Sequence, residues 1–212
     1  MRVLFRKPSL NAVVVGCVLL LITGCQKATV PVADADASPA GLAADTESVS
    51  IVPGQSPTTE QKDAMLAAKD ALFQRLSGRL MEAMGQQGPA QAIAVCQQEA
   101  NEIAADVGKD AGLKIGRAGV RLRNPKNQPP EWAKSLTEER VDTPTFVMLN
   151  NGNAAALLPI KLQGQCLMCH GSSDQIAPII QDQLARLYPD DQATGFREGE
   201  LRGWFHIEMP SS

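Results

Sequence analysis

The sequence predicts an α+β domain, helices in its first half and an antiparallel sheet in its second. Three observations predict it: apolar residues three or four apart between residues 60 and 107, alternating segments from residue 113 onward, and an Asn151-Gly152 pair between two of those segments.

Over residues 60–84, Met65, Ala68, Leu72, Leu76, Leu80 and Met84 stripe one face of a long helix, with Gly85 placed to end it. A second helix opens with Pro89 in its first turn and carries Ala92, Cys96, Ala100, Ile103 and Val107 along one side as far as Gly108. Cys96 therefore faces the core. Residues 113–117 alternate as a short strand, Asn124-Pro125 forms a turn, and Gln128-Pro129-Pro130 excludes a helix. Residues 145–150 and 154–162 read as strands joined by a hairpin at Asn151-Gly152. A further helix is expected over residues 175–187, stopped by Pro189, and a strand over 201–208 closes the sheet.

Ahead of the domain, Arg2, Arg6 and Lys7 precede an uncharged run over residues 10–22, the pattern of an export signal and too short for a membrane span. The run ends in Thr23-Gly24-Cys25, which resembles a lipobox, so Cys25 is the expected lipid-bearing N-terminus after cleavage and Cys17 is discarded. Gln26 lacks the aspartate that retains some lipoproteins at the inner membrane, which points to the outer one. Residues 26–57 are rich in Ala, Pro, Ser, Thr and Asp and poor in large apolar side chains, the composition of a flexible tether. The expected organisation is a signal peptide over 1–24, a tether over 25–57 and one domain over 58–212, placed in the periplasm on a lipid anchor. Loss of the signal removes three of 20 basic side chains and none of 23 acidic ones, and a balance of −6 disfavours nucleic acid as a partner.

Cys166-Leu167-Met168-Cys169-His170 carries the chemistry. In Cys-x-x-Cys-His, two thiols reach the two vinyl groups of one haem while the adjacent imidazole meets the iron. Chance is a poor account in a chain with two histidines and five cysteines. Export agrees with the motif, because bacteria attach haem covalently outside the cytoplasm. A zinc site built from Cys166, Cys169, Cys96 and a histidine lacks the usual second pair of ligands, and a redox disulfide lacks a surrounding βαβ pattern. Gly171 after the histidine is expected to permit a turn that frees the ring. For the second axial donor the residues leave His206, Met148 and Cys96 open: His206 shares a strand face with Trp204, Met148 sits in a strand, and Cys96 is either a ligand or an inert core thiol. Arg117, Arg121, Arg123 and Lys161 supply cations for the haem carboxylates, Arg117 and Arg123 foremost.

The blocks Ala92-Ile93-Ala94-Val95-Cys96, Gly116-Arg117 with Arg121-Leu122-Arg123-Asn124-Pro125, and the haem motif with Gly171 occur in that order. Tyr188-Pro189-Asp190, Ala193-Thr194-Gly195-Phe196 and Gly199 with Leu201-Arg202-Gly203 follow. Together they resemble a family of exported c-type haem proteins with a PAS-like fold, the Tll-type haem-binding domain, over about residues 60 to 210. The resemblance implies one covalent haem c between His170 and a thiolate from Cys96. The bulky Trp204-Phe205-His206 in the closing strand departs from the plainer residues expected there.

Three classes of function follow. An electron carrier at the membrane surface, exchanging with a redox partner protein, needs the least equipment. A redox or small-ligand sensor needs a partner for its output, since no kinase, cyclase or methyl-acceptor segment is present. An enzyme such as a peroxidase needs a distal acid-base group, and only His206 remains for it, so no enzyme is expected.

Overall fold

The computed structural model describes residues 48–211. The signal segment, Cys25 and most of the tether lie outside them. Among the described residues no helix is long and apolar enough to cross a membrane.

One sheet of five antiparallel strands organises the domain, in the order β1-β3-β4-β5-β2. Its strands are β1 (Ile51–Val52), β2 (Lys114–Gly119), β3 (Thr145–Leu149), β4 (Ala154–Lys161) and β5 (Leu201–Met209). The hairpin between β3 and β4 turns where it was expected, with Gly152 at φ 82°. β1 corrects the domain boundary at residue 58. Ile51 and Val52 pair with Leu149 and Met148, and Ser50 donates its amide to Asn150 Oδ1 at 3.1 Å.

α1 (Thr59–Gln87) starts at a capping box: Gln61 N–H donates to Thr58 Oγ1 at 3.2 Å and Thr58 N–H to Gln61 Oε1 at 2.9 Å. It runs past Gly85, which does not end it. Gly88, at φ 83°, ends it instead and leads into Pro89, the first residue of α2 (Pro89–Gln98). The second helix is also divided, into α2 and α3 (Ala100–Ala111), at Glu99. Its carboxylate is held by Arg79 of α1 through bonds of 2.7 and 2.9 Å. The division lets α3 bury Ala104 and Val107 against the sheet while α2 turns Ile93 toward a different cluster. A single straight helix presents one face, so it does not serve both.

The sheet is covered on both sides. On one face Met65 and Leu72 of α1, both fully buried, and Val107 of α3 pack on Ile115, Ala156, Phe205 and Ile207, each large side chain contributing about 1.5–3 kcal/mol by its burial. On the other, a 3-10 turn (Glu131–Ala133) and α4 (Lys134–Glu138), neither expected from the sequence, place Trp132 over Leu157 and Trp204. Trp204 donates Nε1–H to the Val141 carbonyl at 2.6 Å. The bulk of the closing strand is thus divided, Trp204 filling this second core and Phe205 the first.

Gly203 fixes the pairing of β2 with β5. A Cβ there would lie 2.0 Å from the Ala118 carbonyl oxygen. Gly203→Ala is therefore expected to part the two strands at a cost on the order of 3 kcal/mol or more. Chemical denaturation checks this, and an unmoved midpoint contradicts it.

Candidate functional site

The loop after β4 forms a 3-10 turn (Gly164–Cys166) and then a single helical turn, α5 (Leu167–His170). A helical turn places residues three apart on one face, so Cys166 and Cys169 share a side and His170 follows directly. Gly171 has φ −67° and ψ −173°, ordinary extended backbone, which corrects the expected turn role. What requires glycine is close approach, since a Cβ would lie 2.6 Å from the Leu167 carbonyl oxygen.

His170 is held by the segment ahead of β5. Its Nδ1–H donates to the Ala193 carbonyl at 2.7 Å, which leaves Nε2 with a free lone pair. Phe196 meets the ring edge to face with centroids 6.3 Å apart. Its backbone N–H donates to the His170 carbonyl at 2.9 Å. Burial first, then the charges of Arg123 and Arg202, hold the imidazole pKa down to about 3, so the ring is neutral.

α6 (Pro178–Leu187) begins three residues later than expected, at Pro178, and packs Ile180 and Leu184 against Ile93 of α2. That contact sets α2 beside the motif. Cys96 on α2 borders the same cavity as Cys166, Cys169 and His170. The cavity measures about 1150 Å³ with its open mouth included, against roughly 300–1,000 Å³ for ordinary small-molecule sites. Leu76, Leu80, Ile93, Leu122, Ile160 and Leu162 give it apolar walls, and Gly119 and Gly203 keep side chains out of one side. Cys96, Cys166 and Cys169 are free thiols. Burial pushes the Cys96 and Cys169 thiols up, opposed for Cys96 chiefly by Arg117 and for Cys169 by Arg123.

Among the described residues no three His, Cys, Asp or Glu side chains converge on one point as a zinc site requires. The sulfurs and the imidazole line a shared space instead. That is the donor arrangement for a flat group carrying its own metal, and haem fits it.

His206 and Met148 do not border the cavity. His206 lies opposite Gly116 on β2, its ring so close that a Cβ on Gly116 would meet it at 2.5 Å, and burial holds its pKa down to about 4. Met148 packs in the core formed by α1, α3 and the sheet. The expected cations separate as well. Lys161 is exposed and paired with Asp142 at 3.1 Å, and Arg121 stacks on Phe196 with its guanidinium 3.9 Å from the ring centroid. Neither borders the cavity, whereas Arg117 and Arg123 do.

Arg123 has a task other than the carboxylate contact expected of it. Its Nε donates to Asp191 Oδ2 at 2.9 Å, and Nη2 to the Cys169 carbonyl at 2.6 Å and the Ala193 carbonyl at 3.3 Å. The Arg123 and Asp191 side chains are 8% and 10% exposed, so removing one charge strands the other in a poorly solvated place. Arg123→Ala is expected to destabilise the fold by roughly 3–5 kcal/mol, and Arg123→Lys to recover only part because it lacks the planar fork. Urea midpoints check this, and a change below about 1 kcal/mol contradicts the holding role.

Arg202 of β5 also borders the cavity and was not among the expected site residues. Its signal lay in the block Leu201-Arg202-Gly203, which carries the resemblance but marks no role.

Fold and site together define a class, an α+β domain whose cavity gathers a Cys-x-x-Cys-His motif, a third cysteine and buried guanidinium groups. The chain belongs to the Tll0287-like family, whose model matches residues 47–210. This bears out the resemblance read from the sequence blocks and includes β1 in the domain. The crystal structure of the cyanobacterial heme-protein Tll0287 shares the fold with a TM-score of 0.53 and 22% identity, covering 74% of this chain and 98% of that one. None of the curated proteins matches the chain.

Proposed function

We propose that this chain is an exported, lipid-anchored, monohaem c-type cytochrome that transfers electrons in the periplasm, at the surface of a bacterial membrane, the outer one favoured. One observation carries the reading: Cys166, Cys169, His170 and Cys96 border one apolar cavity, with His170 Nε2 unencumbered. Family membership and the fold shared with a protein described as a heme-protein support it. The PAS-like architecture implied by the resemblance is supported by a single antiparallel sheet with helices enclosing a cavity.

Haem bound here supplies one-electron iron chemistry. The chain does the rest. Cys166 and Cys169 anchor the macrocycle, and the Ala193 carbonyl fixes the His170 tautomer and strengthens the ring as a donor. Cys96 would supply a second sulfur donor to the group, and the apolar walls would limit water around it. His206 is not placed for distal acid-base work, which supports a carrier over a peroxidase.

A ligand or redox sensor is the second reading, favoured by the position of Cys96 on α2, which packs on both α1 and α6. Loss of that sulfur from iron would release α2 and disturb both neighbours. Carbon monoxide added to the reduced protein separates the two. Binding at a rate limited by ligand loss supports sensing. Refusal, with fast exchange between a small donor and acceptor, supports transport. Electron paramagnetic resonance of the ferric protein tests the ligands themselves: low-spin thiolate signals are expected, and a bis-histidine or histidine-methionine spectrum contradicts Cys96.

A further inference from the structure

We infer that Arg202 holds a haem carboxylate, its Nε–H donating to one carboxylate oxygen; this rests on the haem reading above. Arg202 Nε is a buried side-chain polar atom with no hydrogen-bond partner in the protein, the one such atom among the described residues. A buried donor left unmatched carries its full desolvation penalty, so an orphan of this kind points to a partner absent from the protein itself.

The rest of the side chain is already fixed. Nη1 donates to the Arg121 carbonyl at 3.0 Å, and the guanidinium carbon lies 5.7 Å from the Phe196 ring centroid. Gly119 makes room for it, since a Cβ there would lie 3.0 Å from Nη1. The guanidinium is therefore positioned before any ligand arrives, which reduces the entropy lost on binding.

Charge gives the class of ligand. The cavity is bordered by three guanidinium groups, of Arg117, Arg123 and Arg202, and by no carboxylate. Arg123 is neutralised by Asp191, whereas neither Arg117 nor Arg202 is paired with an acid among the described residues. A tetrapyrrole with two carboxylates matches those two remaining cations, and a carboxylate accepts readily from an N–H of the arginine fork. Arg117 and Arg202 both lie near Cys96, and Arg202 also lies near the Phe196 ring that meets His170. Of the two, Arg202 carries the donor that is fully buried without a partner, and that assigns it one of the two carboxylates.

The test uses the haem-loaded full chain and resonance Raman detection of the carboxylate-bending band of the haem side chains. Arg202→Gln is expected to shift that band and lower the reduction potential, because it removes a cation that stabilises the reduced iron. Arg202→Lys should shift the band while retaining most of the potential. Arg197→Gln, at an exposed position, should change neither. A band unmoved in Arg202→Gln, or moved equally in Arg197→Gln, overturns the assignment and leaves water as the partner of Nε. Should Arg202→Gln fail to accumulate, the band in Arg202→Lys decides alone. Thioether attachment keeps the pigment on every variant, so a colourless wild type defeats the haem reading, whereas a pigmented protein with an unmoved band defeats only this contact.

Discussion

Replacing Cys166 and Cys169 together by serine is expected to abolish covalent pigment and leave a chain that refolds as an apoprotein or is degraded. Each thiol forms one thioether to a haem vinyl group, so a single serine leaves one bond and a weakened yield, whereas the pair leaves none. The donors that remain, His170 and Cys96, do not compensate, because coordinate bonds held in place by the fold are lost when the chain is denatured, whereas thioethers are not. Denaturing electrophoresis with haem detection reads the result. Full staining of the double variant contradicts the motif assignment, and staining of the two single variants at the level of wild type weakens it.

Cys96→Ala carries the second large effect. A thiolate donates electron density and favours ferric iron, so its loss should raise the reduction potential by on the order of 0.1 V, well within the roughly 0.8 V over which axial ligands tune haem proteins. The absorption bands and the magnetic-resonance signature should change with it, and carbon monoxide should then bind the reduced protein without delay. Cys96→Met tests the cause, because a neutral thioether restores a sulfur without the negative charge and should leave the potential high. An unaltered spectrum in Cys96→Ala removes this ligand from the account. Stability should suffer little by comparison, since alanine at a cavity-bordering position removes one sulfur and buries nothing new.

The parts of this site differ in how far sequence could show them, for physical reasons. The motif was legible because covalent attachment demands two thiols and an imidazole at fixed local spacing, and no tertiary context alters it. The stripe from Met65 to Leu72 and the hairpin at Asn151-Gly152 were legible because each repeats a local geometric rule. That Cys96 borders the same cavity was implied by the family resemblance and by no local rule. It depends on the break at Glu99, set by Arg79 from a different helix, and on the packing of α2 against α6. β1 escaped notice because two residues in a polar segment carry no periodicity, and their pairing is stabilised by β3. Nothing local in the sequence tells the role of Arg123 from that of Arg202. Only tertiary partners distinguish a guanidinium spent on Asp191 and two carbonyls from one with an unmatched donor.

The most direct test of the central claim is extraction of the purified, haem-loaded protein with acidified acetone. Pigment that stays with the precipitated polypeptide, and moves with it under denaturing conditions, is the predicted result. Colour released into the solvent, or a colourless protein from a host competent in cytochrome maturation, contradicts covalent attachment at Cys166 and Cys169.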